Sequence, residues 1–129
     1  MLKSKLLILL KSLSTRELRN LKDFVTSPYH NKNQYLIRFY NYLYNTAPYF
    51  KAELMDWGDA FEHVFESQTF DRKRFYHLES KMVKLVEKFL VQEAFKKDEF
   101  VPELYLLKSS LDKSLPKNYN ETSRQLKLK

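Results

Sequence analysis

The chain contains no cysteine and only one glycine among its 129 residues. Without cysteine it can form no disulfide bond, no thiolate nucleophile and no cysteine-ligated zinc site. Phosphate-binding loops, dinucleotide-binding fingerprints and nucleophile elbows each need several backbone positions that only glycine tolerates. The composition therefore excludes these cysteine- and glycine-dependent sites.

Long hydrophobic runs are also missing. The longest one, Leu6–Leu10, has five residues. A secretory signal usually needs ~7–15 apolar residues, and a membrane-spanning helix needs ~20. We therefore expect neither a signal peptide nor a membrane span in this sequence.

The first segment has the pattern of an amphipathic helix with more apolar surface than one face can hold. Leu7 and Ile8 lie outside the main stripe, and monomeric proteins seldom expose contiguous large apolar patches. We interpret Leu7 and Ile8 as a candidate interface with a second copy of the chain or with a protein partner. The alternative is a helix buried on both sides in a groove between its neighbours. The main stripe consists of Leu2, Leu6, Leu9, Leu10 and Leu13.

Positive charge is concentrated at the two ends of the chain, whose net charge is +7. Residues 1–25 hold six Lys or Arg against two acids, and residues 101–129 hold six against three. Residues 26–100 balance, with eleven of each sign. A basic excess permits acidic partners such as nucleic acid, an anionic membrane or another protein, but it does not select among them.

Three segments carry the signals of a helix start. Residues 14–17 (Ser-Thr-Arg-Glu) form a capping box flanked by Leu13 and Leu18, and residues 31–34 (Asn-Lys-Asn-Gln) form a looser version beginning at Asn31. Asp71 can cap a third helix, with Phe70 and Phe75 placed as a hydrophobic staple. These local signals predict a helical scaffold.

Hydrophobic periodicity predicts an all-α protein, a single-domain bundle of five to six helices. After the leucine-rich first helix, we expect helices at about residues 14–26, 31–46, 57–65 and 72–97, and a sixth from Pro102 through Leu104, Leu107, Leu111 and Leu115. Residues 1–100 form the predicted bundle. Residues 101–129 form a C-terminal helical extension, either a truncated repeat or a frayed tail.

The long helix at 72–97 has two distinct faces. Its apolar stripe includes Leu78, Met82 and Leu85, which we expect to be buried together with Phe39 and Leu43 of the third helix. The short helix at 57–65, a three- or four-residue turn through Gln68 and Thr69, and this long basic helix resemble a helix-turn-helix near residues 57–90. The candidate nucleic-acid contacts are Arg72, Lys73, Arg74, His77, Lys81 and Lys84.

Two motifs resemble a known family. Residues 13–18 (Leu-Ser-Thr-Arg-Glu-Leu) and residues 24–32 (Phe-Val-Thr-Ser-Pro-Tyr-His-Asn-Lys) resemble the opening of an uncharacterised all-helical protein family of the Bacteroidetes. The segment from Phe65 to Leu90 is similar to the long helix that follows, so the resemblance covers about residues 13–95. It implies a cytoplasmic bacterial protein whose longer relatives continue into helical repeats. It brings no known activity and no catalytic residue.

Candidate catalytic and metal-binding residues are few. Asp59, His63 and Glu66 have spacings at which a helix can present metal ligands, with His77 approaching from the next helix, but a solvated short helix explains the same residues. No recognisable nucleophile motif is present. We expect a protein without enzymatic activity, cofactor, metal or small-molecule substrate. The leading interpretation is a helical module for protein–protein interaction, and the alternative is a helix-turn-helix-like nucleic-acid-binding regulator.

Overall fold

The computed structural model describes residues 5–46, 50, 56–67 and 69–128. Within these ranges the chain forms seven helices and no strand, which confirms the all-α class and places one helix more than the predicted five or six. The helices are α1 (Lys5–Lys11), α2 (Thr15–Thr26), α3 (Gln34–Tyr44), α4 (Trp57–Phe65), α5 (Arg72–Lys97), α6 (Val101–Asp112) and α7 (Pro116–Leu128).

The seventh helix begins at Pro116, directly after Leu115, the last residue of the predicted sixth helix. Ser114 adopts a left-handed backbone with φ of 57°, which ends the turn after α6. The Tyr119 N–H then donates to the Leu115 carbonyl at 2.9 Å and closes the first turn of α7. Proline has no N–H to lose at a first helical position and its φ suits a helix, so Pro116 begins α7.

Two of the three predicted helix starts have the expected geometry. The Glu17 N–H donates to Ser14 Oγ at 3.1 Å, and the Ser14 N–H donates to Glu17 Oε1 at 3.0 Å, which completes the capping box of α2. At α5 the Arg74 N–H donates to Asp71 Oδ1 at 3.1 Å. The rings of Phe70 and Phe75 lie 5.8 Å apart and form the staple. Both interactions satisfy first-turn N–H groups that have no helical partner.

The start of α3 differs from the prediction, because Asn33 and not Asn31 caps the helix. Asn33 Oδ1 accepts from the N–H groups of Tyr35 and Leu36 at 2.9 and 3.4 Å. Asn31 is buried two residues earlier, where its amide donates to the Val25 carbonyl at 2.8 Å and to the Asn33 carbonyl at 3.3 Å. Its Oδ1 accepts from the Asn33 N–H at 3.0 Å. Asn31 therefore joins the end of α2 to the start of α3.

The contacts divide the chain into two compact units, which we call the N-terminal unit (Met1–Phe89) and the C-terminal unit (Leu90–Lys129). This division falls inside α5, whereas the division expected from the sequence falls at residue 100, after that helix.

The core of the N-terminal unit is made by one face of α5 and the inward faces of α1 to α4. The five residues predicted to be buried on α3 and α5 are all buried, which confirms that part of the periodicity. Tyr40 is buried among them, and its hydroxyl donates to the Leu18 carbonyl at 2.7 Å, which ties α3 to α2. Burial, with a further contribution from Tyr44, raises the pKa of this phenol, so Tyr40 remains a neutral donor.

In the C-terminal unit the described residues that are buried are polar, whereas eight large apolar side chains are exposed. Its helices α6 and α7 pack against each other. Ser110 and Thr122 are buried, and Asn118 Nδ2 donates to Ser110 Oγ at 2.5 Å. Leu104, Leu111 and Leu115 of the predicted α6 stripe are instead exposed. Periodicity located this stripe, but it does not reveal which side of a helix meets its neighbour.

The buried amide of Asn31 leads to a stability prediction. Asn31→Ala removes three hydrogen bonds and leaves the Val25 carbonyl without that partner in a buried place, so we expect it to lower the free energy of unfolding by ~1–3 kcal/mol. Asn33→Ala removes a more accessible cap and should cost ~1 kcal/mol. Urea denaturation followed by circular dichroism measures both. If Asn31→Ala costs less than Asn33→Ala, the bridging role of Asn31 is wrong.

Candidate binding surfaces

The six candidate nucleic-acid contacts on α5 are all exposed, but the helix separates them into different sets. Lys73, His77, Lys81 and Lys84 follow one another at three- and four-residue spacing, so they lie along one side of the helix. Lys88 is exposed and continues this line by one further step. We call these five residues the basic stripe.

Acidic side chains do not neutralise the basic stripe. The segment of α5 within the N-terminal unit contains two acids, Glu79 and Glu87. Glu79 is buried on the core side of the helix. Glu87 Oε2 pairs with Lys5 Nζ of α1 at 3.2 Å. Among the described residues, no ion pair engages any of the four lysines of the stripe.

Arg74 does not belong to this exposed line, because its guanidinium packs on aromatic rings. The Arg74 Cζ atom lies 3.9 Å from the ring centroid of Phe65 and 5.7 Å from that of Tyr35. Such cation–π contacts hold the side chain against α3 and α4 and limit its reach into a groove. The assignment of Arg74 as a nucleic-acid contact stays a prediction, and the structure adds that its guanidinium packs on these two rings. Arg72 is exposed, but it lies about 100° around the helix from Lys73.

The connection between α4 and α5 is longer than the predicted turn of three or four residues. Six residues separate Phe65 from Arg72, and Gln68 among them lies outside the described residues. Glu66 takes the left-handed conformation, with φ of 55° and ψ of 36°, that glycine often supplies after a helix.

Arg38 holds the end of α4 against α3. Its Nη1 donates to the Val64 carbonyl at 3.0 Å, and its Nη2 lies 3.6 Å from Glu66 Oε1. The closest-packed partner of α4 is α3, whereas in a helix-turn-helix the two consecutive helices pack on each other. Arg38 therefore links the C-terminal end of α4 to α3.

The two residues proposed for an α1 interface have different surroundings. Leu7 is 1% exposed and packs in the core of the N-terminal unit, so its assignment to an interface is wrong. Leu6 and Leu10 are fully buried as well. The three leucines lie within about 100° of one another around the helix, so α1 buries one broad face that includes Leu7. Ile8 is 63% exposed and remains the accessible apolar residue of this helix.

The residues weighed as metal ligands do not meet in one site. Glu66 pairs with Arg38 as described above, and the His63 ring lies beside the Tyr42 ring with centroids 5.9 Å apart. Asp59 lies in the first turn of α4, where a carboxylate is favoured by the helix dipole. In the part of the chain that the structure describes, no group of three or more His, Asp or Glu side chains is placed to hold a metal ion.

The largest set of exposed apolar side chains lies in the C-terminal unit. Among the described residues of this unit no hydrophobic side chain is buried. The exposed set comprises Val91, Phe95, Phe100, Leu104, Tyr105, Leu106, Leu111 and Leu115.

Asp98 lies just before the start of α6. Its Oδ1 accepts hydrogen bonds from the N–H groups of Val101 and Phe100, and these bonds lower the pKa of its carboxyl group.

Comparisons with known proteins assign no relative to this chain. No protein-family model, no curated protein and no solved structure matches it. The resemblance to a Bacteroidetes family therefore stays a prediction. None of the helices formed by the described residues is both long and apolar enough to cross a membrane.

The different surroundings of Arg74 and Lys73 can be tested through stability. Arg74→Ala removes the stacked guanidinium and should lower the free energy of unfolding by ~0.5–2 kcal/mol. Lys73→Ala, at the adjacent exposed position, should change it by less than ~0.5 kcal/mol. Thermal denaturation of the two variants beside the parent provides the comparison. Equal effects would show that the contact of Arg74 with Phe65 does not stabilise the fold.

Proposed function

We propose that this protein is a non-enzymatic helical module that binds another polypeptide through its C-terminal unit. The observation that carries this proposal is the exposure of eight large apolar side chains in a unit that buries none among its described residues. A segment of about 40 residues rarely stabilises itself without a core of its own. An apolar partner surface would supply the missing burial.

The spacing on α6 favours a helical partner. Leu104, Leu107 and Leu111 recur at three and four residues, so they form one apolar stripe along the helix. Leu104 and Leu111 are 39% and 63% exposed. A helix with a stripe of the same kind can pack its side chains between them. Leucine contacts of this sort bury apolar area on both partners and require no catalytic residue.

A second candidate function is nucleic-acid binding by α5, and the specific observation that favours it is the basic stripe. Its four lysines are exposed and unpaired with the acids of the described chain. Lysines in this state can neutralise phosphates and release their counterions. The helix-turn-helix-like docking of α4 and α5 belongs to this second candidate. A cytoplasmic, bacterial setting follows from the family resemblance and is part of the proposal.

The protein-binding proposal is tested with two single substitutions on α6 that add the same charge. Leu111→Glu places a carboxylate within the exposed leucine stripe, and Ser109→Glu places one on another exposed side of the same helix. Each tagged variant and the parent are used to capture proteins from an extract of the native host. Each captured protein is then purified and titrated against all three. We expect Leu111→Glu to weaken binding about 30-fold or more and Ser109→Glu to leave it unchanged.

Sedimentation of the purified chain completes this experiment. If the parent forms a dimer that Leu111→Glu dissociates and Ser109→Glu does not, the partner is a second copy of the chain. If the parent is a monomer and every purified partner binds both variants as tightly as the parent, the α6 surface does not bind protein and the proposal is wrong. Circular dichroism checks that each variant retains its helices.

A further inference from the structure

An exposed tyrosine lies beside the lysines of the basic stripe. Tyr76 is 67% exposed and stands three residues after Lys73, so the two side chains are neighbours on the helix surface. Its ring meets the adjacent His77 ring edge to face, with centroids 6.2 Å apart. The leading end of the stripe therefore combines positive charge with an accessible aromatic face.

The basic stripe follows one side of α5 along the helix axis. From Lys73 to Lys88 the stripe extends ~22 Å, because each residue advances the helix by ~1.5 Å. Glu79 is buried and Glu87 is paired with Lys5, so acidic groups of α5 do not interrupt the line within the N-terminal unit. A line of this length can follow several phosphates of one strand.

The stripe is poorly suited to reading base edges in a duplex. Recognition of guanine in the major groove commonly uses bidentate hydrogen bonds from the guanidinium of arginine, whereas a lysine acts as a point charge. The stripe contains lysines and a histidine, and the nearby guanidinium of Arg74 is stacked on Phe65. In a duplex the faces of the bases are also stacked on one another, so no base face is accessible for stacking on the Tyr76 ring. The bases of a single strand are accessible for such stacking.

We propose that the basic stripe and Tyr76 bind single-stranded nucleic acid, with the lysines along the phosphates and a base stacked on the Tyr76 ring. This inference rests on the second proposed function and names its ligand class. The binding is tolerant of sequence, because every base has an aromatic face. It also falls steeply with salt, because phosphate contacts dominate it.

Fluorescence anisotropy of the full chain with labelled 20-nucleotide oligo-dT tests the inference at 50 mM salt and above. Tyr76→Ala should weaken binding about 5- to 100-fold, whereas Tyr76→Phe should keep it, because the phenylalanine ring can still stack. The double variant Lys81→Gln/Lys84→Gln should reduce the slope of log affinity against log salt by ~1.4, since each phosphate contact contributes ~0.7 for single strands. All these positions are exposed, so the variants should fold.

Two control variants carry the same chemical changes elsewhere on the N-terminal unit. Tyr29→Ala removes another exposed tyrosine, 92% accessible and outside α5, and Lys32→Gln removes another exposed lysine. Both should bind oligo-dT as the parent does. Heparin, which carries anions without bases, should bind the parent and Tyr76→Ala equally. If Tyr76→Ala and Tyr29→Ala have the same effect on oligo-dT, the stacking role of Tyr76 is overturned.

The identity of the ligand is decided by two further probes. A 20-base-pair duplex that binds as tightly as oligo-dT, with no loss in Tyr76→Ala, overturns the inference and leaves the second proposed function standing. No binding of either nucleic acid at 50 mM salt overturns both. Poly-glutamate that binds more tightly than oligo-dT, with the same dependence on Lys81 and Lys84, shows an acidic polypeptide to be the partner and also overturns the inference.

Discussion

The burial of one face of α5 is the constraint on which the N-terminal unit depends. The ring of Phe75 contacts the rings of Phe39 and Trp57, with centroids 5.5 and 5.4 Å away, and the ring of Phe89 contacts that of Phe24 at 5.6 Å. These contacts bring α2, α3 and α4 onto the same face of one helix. Apolar burial of this kind is the main favourable term in folding.

The same constraint positions the basic stripe. Because the apolar side of α5 must face the core, lysines that recur at three and four residues on the other side are forced into solvent. Arg74 lies between the two sides and packs on Phe65. The exposed charge is thus a consequence of packing, and among the described residues no ion pair engages the four lysines of the stripe.

The sequence predicted the features that depend on local interactions. The capping box at Ser14 and the staple at Phe70 and Phe75 each involve residues at most five positions apart, so their signals are complete within a short segment. The start of α3 was misplaced because Asn31 and Asn33 are both good caps. The choice between them depends on the Val25 carbonyl, six residues from Asn31. The capping preference of asparagine does not distinguish the two residues, whereas the bond of Asn31 to Val25 does.

At the candidate sites, the sequence failed mainly to predict which apolar side chains are buried and which are exposed. Leu7 and the leucines of α6 are equally apolar in the sequence, yet Leu7 is 1% exposed and Leu111 is 63% exposed. Periodicity identifies a stripe, but only the packing partners determine whether the stripe is covered. In the same way, the sequence shows that Arg74 is basic and does not show that Phe65 lies beneath it.

Among the described residues the last buried hydrophobic side chain is that of Phe89, and the C-terminal unit buries none. Native-state hydrogen exchange measures this directly, because it reports the free energy of opening at individual amides. We predict that amides of α5 between Leu78 and Phe89 exchange only through global unfolding. Amides of α6 and α7 should exchange through local openings of much lower free energy. Equal protection of α6, α7 and this part of α5 would contradict the account.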